Sequence, residues 1–365
     1  MPCSSFKLIL GGQSADGALY TALAPIEVEE NADLPGAMQI RVPIGTDGKG
    51  DFPILKDARF GPFANLAVVV KVDGGKAECI FDGYALSHKA HLETGSAEGM
   101  LQVWASDASY LMNLTEKTRA WPDVTDASAA NTIFGEYGIT PARGNNDDDS
   151  PVHAEDGHIL MQRGTDIQFL RQLARRSGKL CRVTCTDTPG IRTGTFARPS
   201  LDGDPRARLT LNAPKEAWAV DKLDFSWDVM RPTKVTARQA TRGDSSSDGA
   251  GGDTTDSGLK TLDARSLSDF AGRETATLLT AAVDDAGELT QRSKALLGDA
   301  GWFVKCEGEA DLAKLGVVLR VGTIVSVESA GSLYSGKYFV WSVRHTIARD
   351  SHKMRFTLVR NGIGK

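Results

Sequence analysis

The sequence lacks long apolar runs and any segment typical of export. No apolar stretch among its 365 residues approaches the roughly 20 that a membrane-spanning helix needs. The first ten residues contain one short apolar run before Gly11 and Gly12, without the hydrophobic region and cleavage site of a signal peptide. We therefore expect a protein that is made and folded in the cytoplasm and does not insert into membranes by itself.

Cysteine is also scarce, and its spacing does not predict a metal site. The five cysteines are odd in number and scattered. Cys181 and Cys185 lie four residues apart in an extended run, which places both on one face of a strand. They could form half of a zinc site, but no second pair or ordered histidine spacing completes it. We expect no metal and no cofactor.

The charge balance is neither strongly basic nor strongly acidic. The net charge is -5, with 41% hydrophobic and 24% charged residues, which is ordinary for a soluble globular protein. This composition argues against a broad basic surface that binds nucleic acid through its charge. We expect no specific nucleic-acid binding. The length exceeds the roughly 250–300 residues at which single cores stop growing, so it favours two or more domains.

Recognisable catalytic motifs are missing as well. Six histidines are present, but none lies in His-Glu-x-x-His, and neither Gly-x-Ser-x-Gly nor a P-loop accompanies them. His345 could act as a general base, or it could be a strand histidine that is hydrogen-bonded in a barrel or at a subunit contact. We favour the structural interpretation and predict no catalytic residues.

A cluster of acids near tryptophan leaves one enzymatic alternative. Asp221, Asp224 and Asp228 lie close to Trp218 and Trp227, and paired acids beside tryptophan occur in glycoside cleavage. Solvated strand ends and turns explain these acids more simply. We therefore predict that the protein is not an enzyme.

Most of the chain has the pattern of β-strands. β-Branched or alternating runs separated by glycine-rich turns occur at 39–43, 67–72, 100–105, 234–238, 323–328, 337–347 and 355–360. The expected fold class is mainly β with inserted helices (α+β).

One helix has unusually complete local signals. Thr165 and Gln168 form a Thr-x-x-Gln capping box, and Asp166 favours the positive end of the helix dipole. Gly178 suits the left-handed position after the last turn. The sequence predicts a helix over 165–177 with an apolar stripe of Ile167, Phe169, Leu170, Leu173 and Ala174.

Two further helical segments are expected. Thr125 and Asp126 open the first, whose apolar residues share a face as far as Tyr137. The second covers 262–297 and is predicted as two helices broken near 284–287.

Two polar segments are interpreted as loops. Residues 241–258 contain no large apolar side chain, which predicts a mobile loop, and the Arg242-Gly243-Asp244 tripeptide within it is attributed to chance. The acidic segment 145–150 lacks the glycine and distal glutamate of an EF-hand, so we expect a solvated turn.

Two distant stretches resemble each other. Each is strand, turn, aromatic-x-Gly, strand, turn, strand, with Gly83 in the first and Gly336 in the second. Glycine would permit a bend or bulge at the corner of a barrel. Chance similarity of two meanders is the alternative; we favour two similar β-barrel modules.

These residues resemble a known family. The segment from Gln162 to Gly178 is similar to the signature Q-x-x-x-[ST]-D-x-x-F-L-x-x-L-A-x-x-x-G of the phage late-control protein D family of tail hub proteins, which includes the hub part of VgrG spikes. The C-terminal part, with Gly322, Gly336, Tyr338 and His345, resembles the family's ending, L-x-x-G-x-x-V-x-V, then G-x-Y-x-V-x-x-V-x-H and L-x-R-N. The similarity covers residues 60–362, whereas the loop at 241–258 has no counterpart in the signature.

The resemblance implies a structural role. Family hubs are trimers in which each chain contributes two similar barrels, so that a threefold object presents a pseudo-sixfold surface. The expected partners are a hexameric tail tube protein, a separate spike protein and baseplate wedge proteins. The protein would assemble in the bacterial cytoplasm and become part of a phage tail or contractile injection particle, as a symmetry adaptor that lines the central channel.

The expected domain division follows from both lines of reasoning. Residues 1–106 form the first barrel module, 107–180 a helical insertion, 181–240 a β segment, 241–258 a flexible loop and 259–300 a helical segment. Residues 301–365 form the second barrel module, completed by 181–240. The alternative function is a tail-tip protein that binds a cell wall or receptor through its tryptophans.

Overall fold

The computed structural model describes residues 4–72, 74–93, 99–147, 150–155, 159–212, 214, 218–239, 251–281, 283 and 286–365. The Arg242-Gly243-Asp244 tripeptide and the acids at 148–149 lie outside these ranges. None of the helices within them is long and apolar enough to cross a membrane.

Strands dominate the chain, as the sequence predicts. They are β1 Ser4–Leu10, β2 Gln13–Ser14, β3 Ile26–Asn31, β4 Ala37–Ile44, β5 Asn65–Val72, β6 Ala77–His91, β7 Gly99–Asp107, β8 Glu116–Trp121, β9 Thr140–Pro141, β10 Leu160–Thr165, β11 Leu180–Cys185, β12 Arg192–Ala197, β13 Arg208–Thr210, β14 Val220–Trp227, β15 Lys234–Gln239, β16 Gly251–Thr254, β17 Ala276–Ala281, β18 Val304–Asp311, β19 Ile324–Glu328, β20 Gly336–Ala348 and β21 Ser351–Arg360.

Short helices are inserted between the strands. They are α1 Gly17–Ala22, α2 Asp126–Glu136, α3 Asp166–Ser177, α4 Leu267–Ala271, α5 Ala286–Ala300, α6 Leu312–Leu315 and α7 Gly331–Tyr334, with 3-10 turns at Pro53–Lys56, Ala58–Phe60, Ala108–Asn113 and Arg143–Asn146. The expected fold class, mainly β with inserted helices, is confirmed.

One large sheet organises the molecule. It has thirteen strands, eleven of them in the order β14-β18-β21-β20-β3-β4-β7-β6-β5-β1-β2, with β19 beside β20 and β13 beside β19. Two smaller sheets and one two-stranded ribbon lie outside it. The large sheet therefore joins the N-terminal and C-terminal parts of the chain edge to edge.

The large sheet contains the same arrangement twice. In the first unit, β5, β6, β7, β4 and β3 lie side by side and all neighbours are antiparallel. In the second unit, β19, β20, β21, β18 and β14 do the same. The flanking strands differ, because β1 is antiparallel to β5 whereas β13 is parallel to β19.

The pairing registers align the two units residue by residue. The ladder of β6 with β7 shifts between Ala85 and Ser87, and the ladder of β20 with β21 shifts between Val340 and Ser342. Matching these bulges makes Leu86 equivalent to Trp341, and the remaining ladders then agree in position and in direction. The sequence comparison that paired Gly83 with Gly336 was therefore two residues out of register, since the ladders make Gly83 equivalent to Tyr338.

Equivalent positions of the two units are buried on the same face of the sheet. Met38, Ile40 and Val42 of β4 face the core, as do Cys306 and Ala310 at the equivalent positions of β18. A single hydrophobic cluster spans both units, and a second cluster lies in the insertion that contains α2 and α3. Half-buried antiparallel sheets show this alternation, because successive side chains point to opposite faces.

Two local predictions need correction. The segment 262–297 was expected to be two helices, but its first part contains only the short α4 and then β17, while α5 begins at Ala286. β17 pairs in parallel with β15, so a ladder with a distant strand overrides local helix propensity. Similarly, Gly251–Thr254 of the expected loop forms β16 against the other edge of β15.

Candidate functional site

The predicted signature residues surround the first turn of α3. Thr165 caps the helix: its Oγ1 accepts from the Gln168 amide at 3.4 Å, and its own amide donates to Gln168 Oε1 at 3.3 Å. The predicted capping box is therefore present. It fixes where the chain turns from β10 into α3, and so fixes the direction in which Asp166 points.

Asp166 is the centre of a buried polar network. Its carboxylate accepts hydrogen bonds from Gln162 Nε2 at 2.6 Å, from the Tyr137 hydroxyl at 2.7 Å and from Lys117 Nζ at 2.6 Å. Burial alone would raise the pKa of Asp166, but the hydrogen bonds from Lys117, Tyr137 and Gln162 outweigh it and lower that pKa. The carboxylate therefore stays charged and ties β8, α2 and β10 to α3.

Gln162 extends this network into the core of the insertion. It is fully buried, and its Oε1 accepts from the Trp121 indole at 3.1 Å. The Trp121 ring in turn stacks on Phe169 of α3 with 6.2 Å between centroids. Buried polar side chains need such partners, so the signature describes a structural junction whose members satisfy one another.

The rest of the signature helix is buried as expected. Phe169, Leu170, Leu173 and Ala174 lie in the core of the insertion. Gly178 ends the helix with φ of +67°, and a Cβ there would lie 3.1 Å from the Cα of Ala295 in α5. Glycine is thus required twice, for the left-handed turn and for the close approach of α5.

The C-terminal signature residues form a second junction around Arg360. Its guanidinium is fully buried, pairs with Asp263 at 2.8 Å and donates to the Leu333 carbonyl at 2.8 Å. It also lies 4.6 Å from the ring centre of Tyr338, whose hydroxyl donates to the Tyr334 carbonyl. Burial raises the pKa of the Tyr338 hydroxyl.

Three predicted glycines permit close contacts. A Cβ at Gly336, where φ is +135°, would lie 3.0 Å from Arg360 Nη1, which explains why this residue opens β20. A Cβ at Gly83 would lie 2.0 Å from the Ser106 carbonyl oxygen, and one at Gly322, where φ is +84°, would lie 2.6 Å from Arg182 Nη1. Gly83 therefore permits close contact between strands. The bulge in the ladder of β6 with β7 lies three residues further on, at Leu86.

His345 lies inside the large sheet, apart from both junctions. It is fully buried, and its Nδ1 is 3.0 Å from Nε2 of His352 on the neighbouring strand. On its other side, Nε2 is 3.7 Å from Glu30 Oε1, which lies 2.7 Å from Arg320 Nε at an angle too poor for a hydrogen bond. No part of the His345 ring is exposed to a substrate, which agrees with a structural histidine.

The buried His345–Glu30 contact has clear electrostatic consequences. Burial raises the pKa of Glu30, but the charge of Arg320 and the contact with His345 outweigh it and lower the pKa to about 2. Burial, together with the neighbouring His345, lowers the pKa of His352 to about 3.

Two polar networks escaped sequence analysis. Asp126 at the start of α2 accepts from Arg176 at 2.5 Å and lies 2.9 Å from Nε2 of His153. Asp82 of β6 accepts from both Nε and Nη2 of Arg192, which ties the first unit to β12. In both networks the interacting residues lie far apart in the sequence. Only the position of Asp82, directly before Gly83, could have drawn attention to the second network.

The structure also places the acidic segment and the two spaced cysteines that the sequence singled out. Asn145 of the acidic segment is buried and donates to the Gly194 carbonyl, so this part of the segment is not a solvated turn. Cys185 donates its thiol to the Cys79 carbonyl at 2.8 Å, and burial raises the pKa of Cys181 to about 12. No group of three or more metal-ligating side chains occurs in the described ranges.

The tryptophans differ in burial. Trp121 and Trp302 are buried, whereas Trp104, Trp218 and Trp227 are 37%, 40% and 48% exposed. Trp227 lies at the end of β14, the edge strand of the large sheet, whose outer edge has no neighbouring strand in the part of the chain that the structure describes. Asp224 on the same strand pairs with Lys222 at 2.8 Å, as expected for a solvated acid.

The fold defined by this sheet and its inserted helices is that of phage tail proteins. A tail protein from Neisseria meningitidis MC58 superposes with a TM-score of 0.68 at 13% identity, covering 99% of this chain and 98% of that one. The 43 kDa tail protein of prophage MuSo2 from Shewanella oneidensis gives 0.63 at 16% identity, with 98% of each chain covered. An E. coli component of the type VI secretion system gives 0.55 at 13% identity, covering 93% of this chain and 73% of that one.

The chain belongs to the family described as the Alg8 N-terminal domain, whose model matches residues 2–349. This name differs from that of the late-control protein D family whose signature the sequence resembles. The solved structures nevertheless have the tail-protein fold that the resemblance implied. No curated protein matches this chain.

Proposed function

We propose that this protein is the structural hub of a contractile tail or injection-system baseplate. Three copies form a ring that joins a sixfold tail tube to a threefold spike and lines the central channel. The single observation that carries the proposal is the repetition of one five-stranded unit within the chain, with equal strand order and directions and with a bulge at the same position of the β6–β7 and β20–β21 ladders. Three chains with two such units each present six similar surfaces on a threefold object.

The proposed partners are those that the resemblance to the tail hub family implies. One end of the ring contacts the hexameric tail tube protein and the other contacts the spike, while baseplate wedge proteins bind the outside. Assembly takes place in the bacterial cytoplasm, and the protein then becomes a component of the particle. The fold likeness to tail proteins and to a type VI secretion component supports this setting.

We also propose the division into two barrel modules, residues 1–106 and residues 301–365 completed by 181–240. The ladder order supports it, since the second unit takes β14 from the middle of the chain and its other four strands from the C-terminal part. The Asp166 and Arg360 junctions then serve as fixed joints: the first holds the insertion together, and the second closes the second unit against residues 259–266.

A non-enzymatic role fits the two histidines and the acids considered above. His345 is buried, and Asp224 is an exposed strand acid paired with lysine rather than one of two facing carboxyl groups. The proposal is tested by mixing the purified chain with the tube protein of the same particle and with soluble cell-wall glycans. We expect a complex with the tube protein and no glycan binding or cleavage. Glycan binding without tube binding would contradict the hub and favour a receptor-binding tail-tip protein.

A further inference from the structure

The two repeated units differ at one edge. In the first unit, β3 pairs on one side with β4 and on the other side with residues 342–347 of β20, so neither of its edges is free. In the second unit, the equivalent strand β14 pairs with β18 and ends the large sheet. Within the described residues, its other edge has no strand beside it.

A complementary edge is open in the first unit. The strand β6 pairs with β7 as far as His91, but its ladder with β5 ends at Tyr84. Residues 87–91 of β6 are consequently exposed. At the equivalent positions of β20, Val343 and His345 are buried, because β3 lies beside them.

The pairing of β20 with β3 is an internal joint, that is, a joint between the two units of one chain. We use its register as a template for an external joint between two chains. In it, Val343 lies opposite Glu30, Arg344 opposite Glu29 and His345 opposite Val28. The ladder registers make these β20 positions equivalent to His88, Lys89 and Ala90. They make the β3 positions equivalent to Trp227, Ser226 and Phe225 of β14.

We propose that β14 of one copy pairs antiparallel with residues 87–91 of β6 in the next copy. The register places His88 opposite Trp227, Lys89 opposite Ser226, Ala90 opposite Phe225 and His91 opposite Asp224. The inference rests on the proposed ring and names the surface that closes it. Among the described residues of one chain, no strand covers either edge: residues 87–91 of β6 are exposed, as are Asp224, Ser226 and Trp227 of β14.

The side chains at the two edges are complementary. On the face that points towards the core, Trp227 of β14 is 48% exposed. On the same face, the small side chain of Ala90 in β6 leaves room for Phe225 of β14, which is only partly buried. On the opposite face, β6 carries Lys89 and His91, whereas β14 carries Asp224. In the internal joint the same face carries the Arg344–Glu29 ion pair at 2.7 Å.

Such a contact has the topology that a ring requires. It joins two different surfaces, one from each copy, and head-to-tail contacts of this kind close into a ring when their rotation divides a full turn. It also removes the open strand edges, which sheet proteins otherwise protect against unwanted association. Alternating internal and external joints would produce a continuous band of equivalent units.

Cysteine crosslinking tests the register. The double variant Lys89→Cys/Ser226→Cys places two thiols opposite each other across the proposed joint, about 5 Å apart between Cβ atoms, within reach of a short bifunctional thiol reagent. We expect this variant to give covalent trimers, and a mixture of the two single variants to give covalent dimers only. The double variant His88→Cys/Ser226→Cys is the control, since His88 and Ser226 lie on opposite faces in this register. The parent chain measures the background from its native cysteines.

Native mass spectrometry of the same samples separates the two levels of the proposal. Trimers without crosslinking at Lys89 and Ser226, or with equal crosslinking in the control, would overturn the joint and leave the hub intact. Monomers at every concentration, without any covalent product, would overturn both. A further variant, Ala90→Asp, should lower the trimer association constant about tenfold while leaving the melting temperature of the dilute monomer unchanged, since trimer formation itself adds stability by mass action. Lys71→Asp, a change at an exposed position of β5, should leave the trimer fraction unaffected.

Discussion

Arg344 of β20 lies 2.7 Å from Glu29 of β3, across the seam where the two repeated units meet within one chain. Both side chains are about half exposed, so the ion pair contributes little stability, about 0–1 kcal/mol. The seam is held instead by its backbone ladder and by buried side chains such as Val343 and Ile347. The seam matters because it shows how two such units fit together.

The Asp166 network predicts a large loss of folding stability when its acceptor is removed. Replacing Asp166 with Ala leaves the donors of Gln162, Tyr137 and Lys117 without their shared partner. We expect the free energy of unfolding, measured by urea titration, to fall by about 2–3 kcal/mol, because buried donors lose a charged acceptor whereas the Lys117 ammonium, which is 31% exposed, can be hydrated instead. Asp33→Ala is the control, since Asp33 makes a half-exposed pair with Arg175 at 3.1 Å and should cost about 1 kcal/mol or less. Equal losses in both variants would contradict the junction.

The buried face of α3 predicts a loss of soluble protein. The double change Leu170→Asp/Leu173→Asp places two charges in the core of the insertion, where both leucines are buried. We expect no soluble folded protein, and for the milder Leu170→Ala a loss of about 2–5 kcal/mol. Gln172→Asp changes an exposed residue of the same helix and should express normally. Normal assembly of the double variant would show that this face of α3 is not a core face.

Two glycines at helix ends separate backbone strain from packing. Gly178 and Gly316 both follow helices with positive φ, at +67° and +72°. A Cβ at Gly178 would meet Ala295 at 3.1 Å, whereas one at Gly316 would meet nothing within 4 Å. Gly316→Ala should therefore cost only about 1 kcal/mol from the left-handed conformation, and Gly178→Ala clearly more. Equal melting temperatures for the two variants would show that α5 can move away from a side chain at position 178 without loss of stability.

The buried histidine pair predicts acid sensitivity. The pKa of His352 is lowered from 6.5 to about 3. Between these values the unfolded chain binds a proton that the folded chain does not, so the free energy of unfolding falls as the pH falls from 6.5 towards 3. Glu30, with its pKa lowered to about 2, adds a loss in the same direction below pH 4.5. Urea titrations from pH 7.5 to 4 should show a shallower decline in His352→Gln, and identical slopes would contradict the assignment.

The sequence was informative where the controlling interactions are local. The helix α3 was predicted with its cap and its terminal glycine, because Thr165, Gln168 and Gly178 act within one or two turns of it. Seven strands were also predicted, since alternation and β-branched residues mark them: β4, β5, β7, β15, β19, β20 and β21. The mainly-β class followed from these signals together.

Longer-range features could not be read in this way. Residues 276–281 form a strand because β15 lies beside them, which local propensity does not record. The repeat was detected, but its register was set by glycines, whereas the structure sets it by the bulges at Leu86 and Trp341. The Asp126–His153 contact joins residues 27 positions apart, and nothing in the sequence links them.

The central claim is that one chain supplies two equivalent units to a six-membered ring. Electron cryomicroscopy of the assembled hub, reconstructed with threefold symmetry only, tests it most directly. We expect three chains whose first and second units alternate around the ring, related by rotations of about 60° (one sixth of a turn). A ring in which the second units lie at a different radius or orientation from the first units, or a single copy at the particle axis, would contradict it.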